Sequence, residues 1–154
     1  MLNTYSQLSL AIDLIKRKAP IGVVHEATGL PIPSLRITYR NYHGYSSSRG
    51  ASKQSTQGIT RNYKMFKEAT VFAVCYQTTE FKINESDINK IIIAFDAFKK
   101  IHPSSELNFS GACVIVQDLL GRKITLTRCR CESWVLLGAR ANQIERCGMC
   151  KTRL

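Results

Sequence analysis

Four cysteines near the end of the chain constrain its fold more than any other feature. One residue separates Cys129 from Cys131, two separate Cys147 from Cys150, and fifteen lie between the pairs. Two close thiol pairs at that separation can close one tetrahedral site, the outline of a structural four-cysteine zinc knuckle. So small a module has little core of its own, and bound metal would contribute folding energy outright. The cofactor predicted is one Zn2+ per chain on Cys129, Cys131, Cys147 and Cys150. A redox dithiol is the weaker reading, because that use sits at a helix N-terminus in a thioredoxin-like unit that this pattern lacks. An iron–sulfur cluster also takes four thiolates, but two short pairs flanking a small hairpin suit a closed tetrahedral ion better.

The metal module is also basic. Of 22 Lys and Arg residues, eight lie in the last thirty-three positions, against only Glu132 and Glu145. The whole chain carries a formal charge of +11, which fits a polyanionic partner such as DNA, RNA or an anionic membrane surface. The charge is unevenly placed: residues 27 to 67 hold seven bases and no acid, whereas residues 68 to 121 hold seven acids and four bases. Two basic ends thus flank a mildly acidic middle that reads as scaffold or partner surface.

At 154 residues the chain suits one ordinary core, here a helical one, with a small metal-stapled appendage. Residues 8 to 18 place Leu8, Ala11, Ile12 and Ile15 at helical spacing, and Pro20 ends the pattern. A short helix fits 21 to 28, Gly29-Leu30 supplies a turn, and Pro33 sits in the first turn of a helix running to about Tyr42. Residues 8 to 42 therefore read as a helix-turn-helix-like segment pinned by Val24, Leu30 and Leu35, or as packed helices with a solvated basic face. On the first reading, Arg36, Tyr39 and Arg40, with Tyr42, form the exposed face that enters a major groove. Residues 43 to 60 are rich in Gly and Ser and read as a loop. Its Arg49 and Lys53, with Arg61 just beyond, are candidates to follow a phosphate backbone.

Three helices are predicted next, over 61–77, 85–101 and 107–120. The first carries Met65, Phe66, Ala69, Phe72, Ala73 and Tyr76 on one face. The second carries Ile88, Ile91, Ile92, Phe95 and Phe98, with Asn84 and Asp87 as its start signal, and the third is apolar enough to be the most buried. Strands are predicted at 123–128 and 135–137. The fold class is mainly α: a helical domain over 1–122 (8–42 helix-turn-helix-like, 43–60 loop, 61–121 helices) and a zinc knuckle or ribbon over 123–154. Cys75 and Cys113 sit alone in apolar segments and read as buried core.

The chain is not expected to be an enzyme. His25, His43 and His102 fall in unrelated segments, no thiol is paired with a base, and no HExxH, GxSxG or phosphate-loop pattern occurs. No signal peptide is readable, because the apolar run at 8–15 is broken by Asp13 and followed by Lys16-Arg17-Lys18 rather than preceded by them. No apolar stretch approaches the roughly 20 residues of a spanning helix. A cytoplasmic location without membrane association is expected, and there paired cysteines are read as metal ligands before disulfides.

In order and spacing these elements resemble the FlhC family, a subunit of the bacterial flagellar master regulator. The resemblance spans nearly the whole chain. It is carried by 10–15, by Gly29-Leu30 with 33–42, by Tyr63 and Phe66 after the loop, by Ala94-Phe95 with Pro103, and by 126–129 with 147–150. It implies a zinc-binding transcriptional activator that acts in a hetero-oligomer with a small helical FlhD-like partner, binds double-stranded promoter DNA and recruits RNA polymerase. Family members act on flagellar genes, and related pairs on conjugative plasmids and integrative elements activate transfer genes. The chain is short for that family, which points to a mobile-element or divergent copy. The family's first cysteine pair is typically spaced by two residues, not one. Either the hairpin adapts, or Glu132 or water replaces one thiolate. The competing class is a zinc-stapled adaptor or RNA-binding protein without promoter specificity.

Overall fold

The computed structural model describes residues 3–48, 55–80, 86–140 and 145–154. The chain divides into two compact units, Met1–Ser52 and Lys53–Leu154. The division falls inside the Gly/Ser segment rather than between 122 and 123. The physical reason is that the strand pair packs on the helix that follows the loop, so the cysteine module shares that helix's core.

The first unit has three helices: α1 (Thr4–Lys16), α2 (Ile21–Thr28) and α3 (Ile32–His43). Asn3 caps α1 by accepting from the Ser6 N–H at 2.8 Å. Ala11, Leu14 and Ile15 form its buried face, whereas Leu8 and Ile12, expected in that face, are exposed. Gly29 ends α2 in the left-handed conformation, and the His25 ring bonds the Leu30 carbonyl at 2.8 Å to fix the turn. Val24 and Leu35 are fully buried on either side of that turn, with Leu30 half-buried. At the far end of α3, His43 Nε2 reaches the Ile15 carbonyl at 2.7 Å and ties α3 to the end of α1.

The second unit opens with α4 (Thr56–Ile59), one turn inside the stretch expected to be loop. Asp118 explains it. The Thr56 N–H and hydroxyl both donate to Asp118 Oδ2 at 2.8 Å, and Thr56 is completely buried. Three long helices follow, α5 (Tyr63–Thr78), α6 (Asp87–Ile101) and α7 (Phe109–Leu120). Their core is aromatic, with edge-on pairs Phe72–Phe98 at 6.0 Å and Phe95–Phe109 at 5.3 Å. Ser86 is the N-cap of α6, and the start signal at Asn84 lies outside the described residues. Helix α7 is buried along most of its length, as its composition predicts, and Cys113 lies within it. Burial pushes the Cys113 thiol up to about 12. Cys75 on α5 is half-buried and raised by the same cause. Glu68 is also buried on α5, accepting a 2.5 Å hydrogen bond from the Ser105 hydroxyl.

Strands β1 (Thr125–Arg128) and β2 (Trp134–Leu137) pair antiparallel, Thr125 opposite Leu137 and Arg128 opposite Trp134. Val135 and Leu136 are buried, and β2 lies against α5. Gly138 leaves the sheet at φ 80°, where a side chain would meet the Lys123 carbonyl at 2.7 Å, so only glycine fits. No helix among the described residues is long and apolar enough to cross a membrane.

Candidate metal centre

The strand pair carries the first two cysteines on its connecting turn. Cys129 leaves β1, its N–H donates to the Ser133 carbonyl at 2.9 Å, and its own carbonyl accepts from the Glu132 N–H at 2.9 Å. Glu132 takes a left-handed φ of 67° to close that turn. The second pair sits on a tight turn at the end of the chain, where the Lys151 N–H bonds the Cys147 carbonyl at 3.1 Å. The Cys147 N–H in turn bonds the Thr152 carbonyl at 2.9 Å. An isolated antiparallel bridge between Arg146 and Arg153 closes the base of this turn. Tyr63 in the first turn of α5 donates its hydroxyl to the Cys147 carbonyl at 2.9 Å, holding the turn against the helix.

The two turns bring all four sulfurs within 4.8 Å of one another. Cys129 Sγ lies 3.6 Å from Cys150 Sγ, and Cys131 Sγ lies 3.5 Å from Cys147 Sγ. Those separations exclude disulfides, whose sulfurs are about 2.0 Å apart. They approach the sulfur–sulfur edge of about 3.8 Å in a tetrahedron with metal–sulfur bonds of about 2.3 Å. The donor set can therefore hold one metal ion. Cys129 and Cys147 are buried, whereas Cys131 and Cys150 face solvent, so the centre is half-embedded.

The surroundings favour the thiolate at Cys131 and Cys150. Each sulfur faces a backbone N–H two residues on: that of Cys131 for Cys129, Ser133 for Cys131, Met149 for Cys147 and Thr152 for Cys150. Hydrogen bonds from the Ser133 hydroxyl and N–H bring the Cys131 thiol down to about 6. The Thr152 hydroxyl and N–H lower Cys150 in the same way. The Cys131 N–H pulls Cys129 down too, but burial and hydrogen bonds to the other three sulfurs outweigh it and push Cys129 up to about 11. Hydrogen bonding thus favours ionisation of Cys131 and Cys150 over Cys129. A bound cation would complete the set by replacing the retained protons.

Glu132 is not part of this group. Its carboxylate turns outward to Arg128 Nη1 at 3.4 Å and is 81 % exposed. The one-residue spacing of the first pair is therefore accommodated by the hairpin, with both thiols kept.

The other predicted site residues are dispersed. Arg36 and Arg40 lie on the exposed side of α3 together with Ile37, and Arg40 Nη2 donates to the Ser46 hydroxyl at 2.9 Å. Tyr39 requires a correction: it is 5 % exposed rather than part of that face. The chain turns back after Gly44, and His43 and Tyr45 cover the Tyr39 ring at centroid distances of 4.5 and 6.2 Å. Arg61 is exposed just before α5, whereas Arg49 and Lys53 lie outside the described residues.

Sequence reasoning missed two arrangements around the metal centre. Trp134, the only tryptophan, is 38 % exposed at the start of β2, with the Arg128 guanidinium 4.6 Å from its ring centre. The cross-strand register that pairs Arg128 with Trp134 could have revealed it. Tyr63 is approached by Lys67, Arg140 and Lys151, which come from three separate segments and which no local pattern joins. No family model and no curated protein matches the chain.

Proposed function

We propose that the chain is a zinc-stabilised, DNA-binding subunit of a transcriptional activator. It is similar to FlhC, works in a hetero-oligomer with an FlhD-like helical partner, and recruits RNA polymerase to promoters of flagellar or conjugative-transfer genes. The observation that carries this reading is a four-thiol site, closed by two turns, whose module is rich in Arg and Lys. Four thiolates leave no open coordination position, which is the arrangement of a structural zinc rather than a catalytic one. Zinc held there fixes the two turns and with them the cations they carry. A dication bound by four thiolates keeps net negative charge, which the neighbouring basic side chains offset.

Two further features support the reading. Arg36, Ile37 and Arg40 are exposed on α3, the helix that follows the tight turn after α2, which is where a major-groove helix would present its side chains. Tyr5, Leu8 and Ile12 form an exposed apolar stripe on α1 at helical spacing, a surface suited to a helical partner subunit.

The test is metal analysis and selection of duplex DNA from a random pool, on the protein co-expressed with a helical FlhD-like partner. One zinc per chain and an enriched sequence are expected. Cys147→Ser/Cys150→Ser should lose both, and Arg36→Ala/Arg40→Ala should lose only the enrichment. Zinc without sequence preference would overturn the activator reading.

A second reading draws on Trp134. An exposed indole with a guanidinium over it is a stacking platform, and single-stranded RNA uses such surfaces. Tighter binding of single-stranded RNA than of any duplex, lost in Trp134→Ala, would favour an RNA-binding adaptor instead.

A further inference from the structure

Tyr63 gathers three cations. Lys67 Nζ lies 5.1 Å from its ring centre, Lys151 Nζ 5.2 Å and the Arg140 guanidinium 5.7 Å. Lys67 is one helical turn on from Tyr63 along α5. Lys151 follows the last cysteine and holds a left-handed φ of 63°. Arg140 leaves the strand pair just beyond Gly138. Among the described residues none of the three has a carboxylate partner, and the Arg140 Nε is buried with no hydrogen-bond acceptor.

Packing alone does not account for this. A single cation over an aromatic ring is an ordinary staple worth about 0.5–1 kcal/mol at an exposed site. A second and a third add repulsion between like charges and hold three long side chains in place. A buried guanidinium N–H with no acceptor adds a desolvation cost. An anion among the three groups would offset the repulsion between them.

We propose that Lys67, Arg140 and Lys151, gathered about Tyr63 where α5 meets the Cys147 turn, bind a backbone phosphate of duplex DNA. The Arg140 fork matches phosphate oxygens, and the two ammonium groups add charge without demanding a particular geometry. The metal centre sets the site's shape. Tyr63 holds the Cys147 carbonyl, and a side chain at Gly148 would meet Lys67 Cγ at 3.5 Å, so the knuckle lies directly on the Lys67 stem. Phosphate binding is thus a property of the metal-loaded turn, and a phosphate contact carries register rather than base identity. The proposal rests on the DNA-binding reading above but not on promoter selectivity.

The experiment is a salt series on the zinc-loaded, partner-bound protein with a random-sequence duplex of about 30 base pairs, enough for a full protein footprint. Lys67→Gln and Lys151→Gln should each lower the slope of log affinity against log salt by about 1, with zinc content and thermal midpoint unchanged. Arg140→Gln should act in the same direction. Lys100→Gln, the same charge change on exposed α6, should leave the slope as it is. Unchanged slopes in the Lys67 and Lys151 variants, a slope lowered equally by Lys100→Gln, or no binding of the duplex by the wild type would overturn the site. Intact slope effects with no sequence preference would overturn the activator reading and leave the phosphate site standing.

Discussion

The Tyr63 hydroxyl donates to the Cys147 carbonyl at 2.9 Å, joining the first turn of α5 to the turn that carries two of the four sulfurs. Lys151 over the Tyr63 ring and Gly148 against the Lys67 stem add to the contact between that turn and α5. Tyr63→Phe keeps the ring and removes the donor. It should cost about 1 kcal/mol in the metal-bound form, and chelator competition should read a roughly fivefold weaker zinc affinity. An unchanged affinity would mean that the metal and the turn's other contacts hold it in place.

The assignment of ligands is testable by contrast. Glu132→Gln should retain one zinc per chain, because the Glu132 carboxylate faces Arg128 and solvent. Cys131→Ser should lose the metal or weaken its binding by orders of magnitude, since a neutral hydroxyl replaces a thiolate. Trp134 supplies the readout: it follows the first pair by three residues, and its emission should shift when a chelator opens the hairpin. Metal loss in Glu132→Gln would reassign the fourth ligand.

Asp118 is a buried carboxylate whose partners are the Thr56 N–H and hydroxyl, with Lys123 Nζ at 3.8 Å. Asp118→Ala would leave the buried Thr56 donors without an acceptor and release α4. A loss of about 2–4 kcal/mol is expected, read as a lower urea midpoint. Asp118→Asn keeps one acceptor oxygen and should lose less. Equal losses in the two variants would point to packing volume rather than hydrogen bonding.

The Cys113 thiol is raised from 9.0 to about 12 by burial, so the folded state holds its proton where the unfolded chain releases it. The stability this contributes is present below about pH 9 and is lost as pH rises toward 12. Stability should therefore fall between pH 9 and 10, and Cys113→Ala should flatten that fall when unfolding is followed at several pH values. A thiol reagent at pH 8 should modify Cys113 only in denaturant.

Much of this architecture was legible because its signals are local. Helix α2 runs over the predicted residues because Pro20 and Gly29 mark both its ends. The four cysteines meet because each pair sits on one tight turn, the first between β1 and β2 and the second held against α5 by Tyr63. What was missed depends on distant partners. Helix α4 has no apolar period of its own and forms around a carboxylate sixty-two positions away. Tyr39 reads as exposed until the chain reverses at Gly44 and lays Tyr45 over it. Leu8 and Ile12 fit an apolar stripe by spacing, but α1 is short of neighbours on that side and buries Leu14 instead. The cations around Tyr63 come from α5, from beyond β2 and from the end of the chain, so only the tertiary fold assembles them.

Each of the four sulfurs has a main-chain N–H donor two residues beyond its cysteine, and only at Ser133 and Thr152 does a hydroxyl add to it. Any amino acid other than proline can supply such a donor. Coordination therefore places little demand on the side chains at Arg130 and Met149, and drift at those positions can remodel the exterior while the centre persists. A module built this way can change the residues it turns outward and keep its geometry.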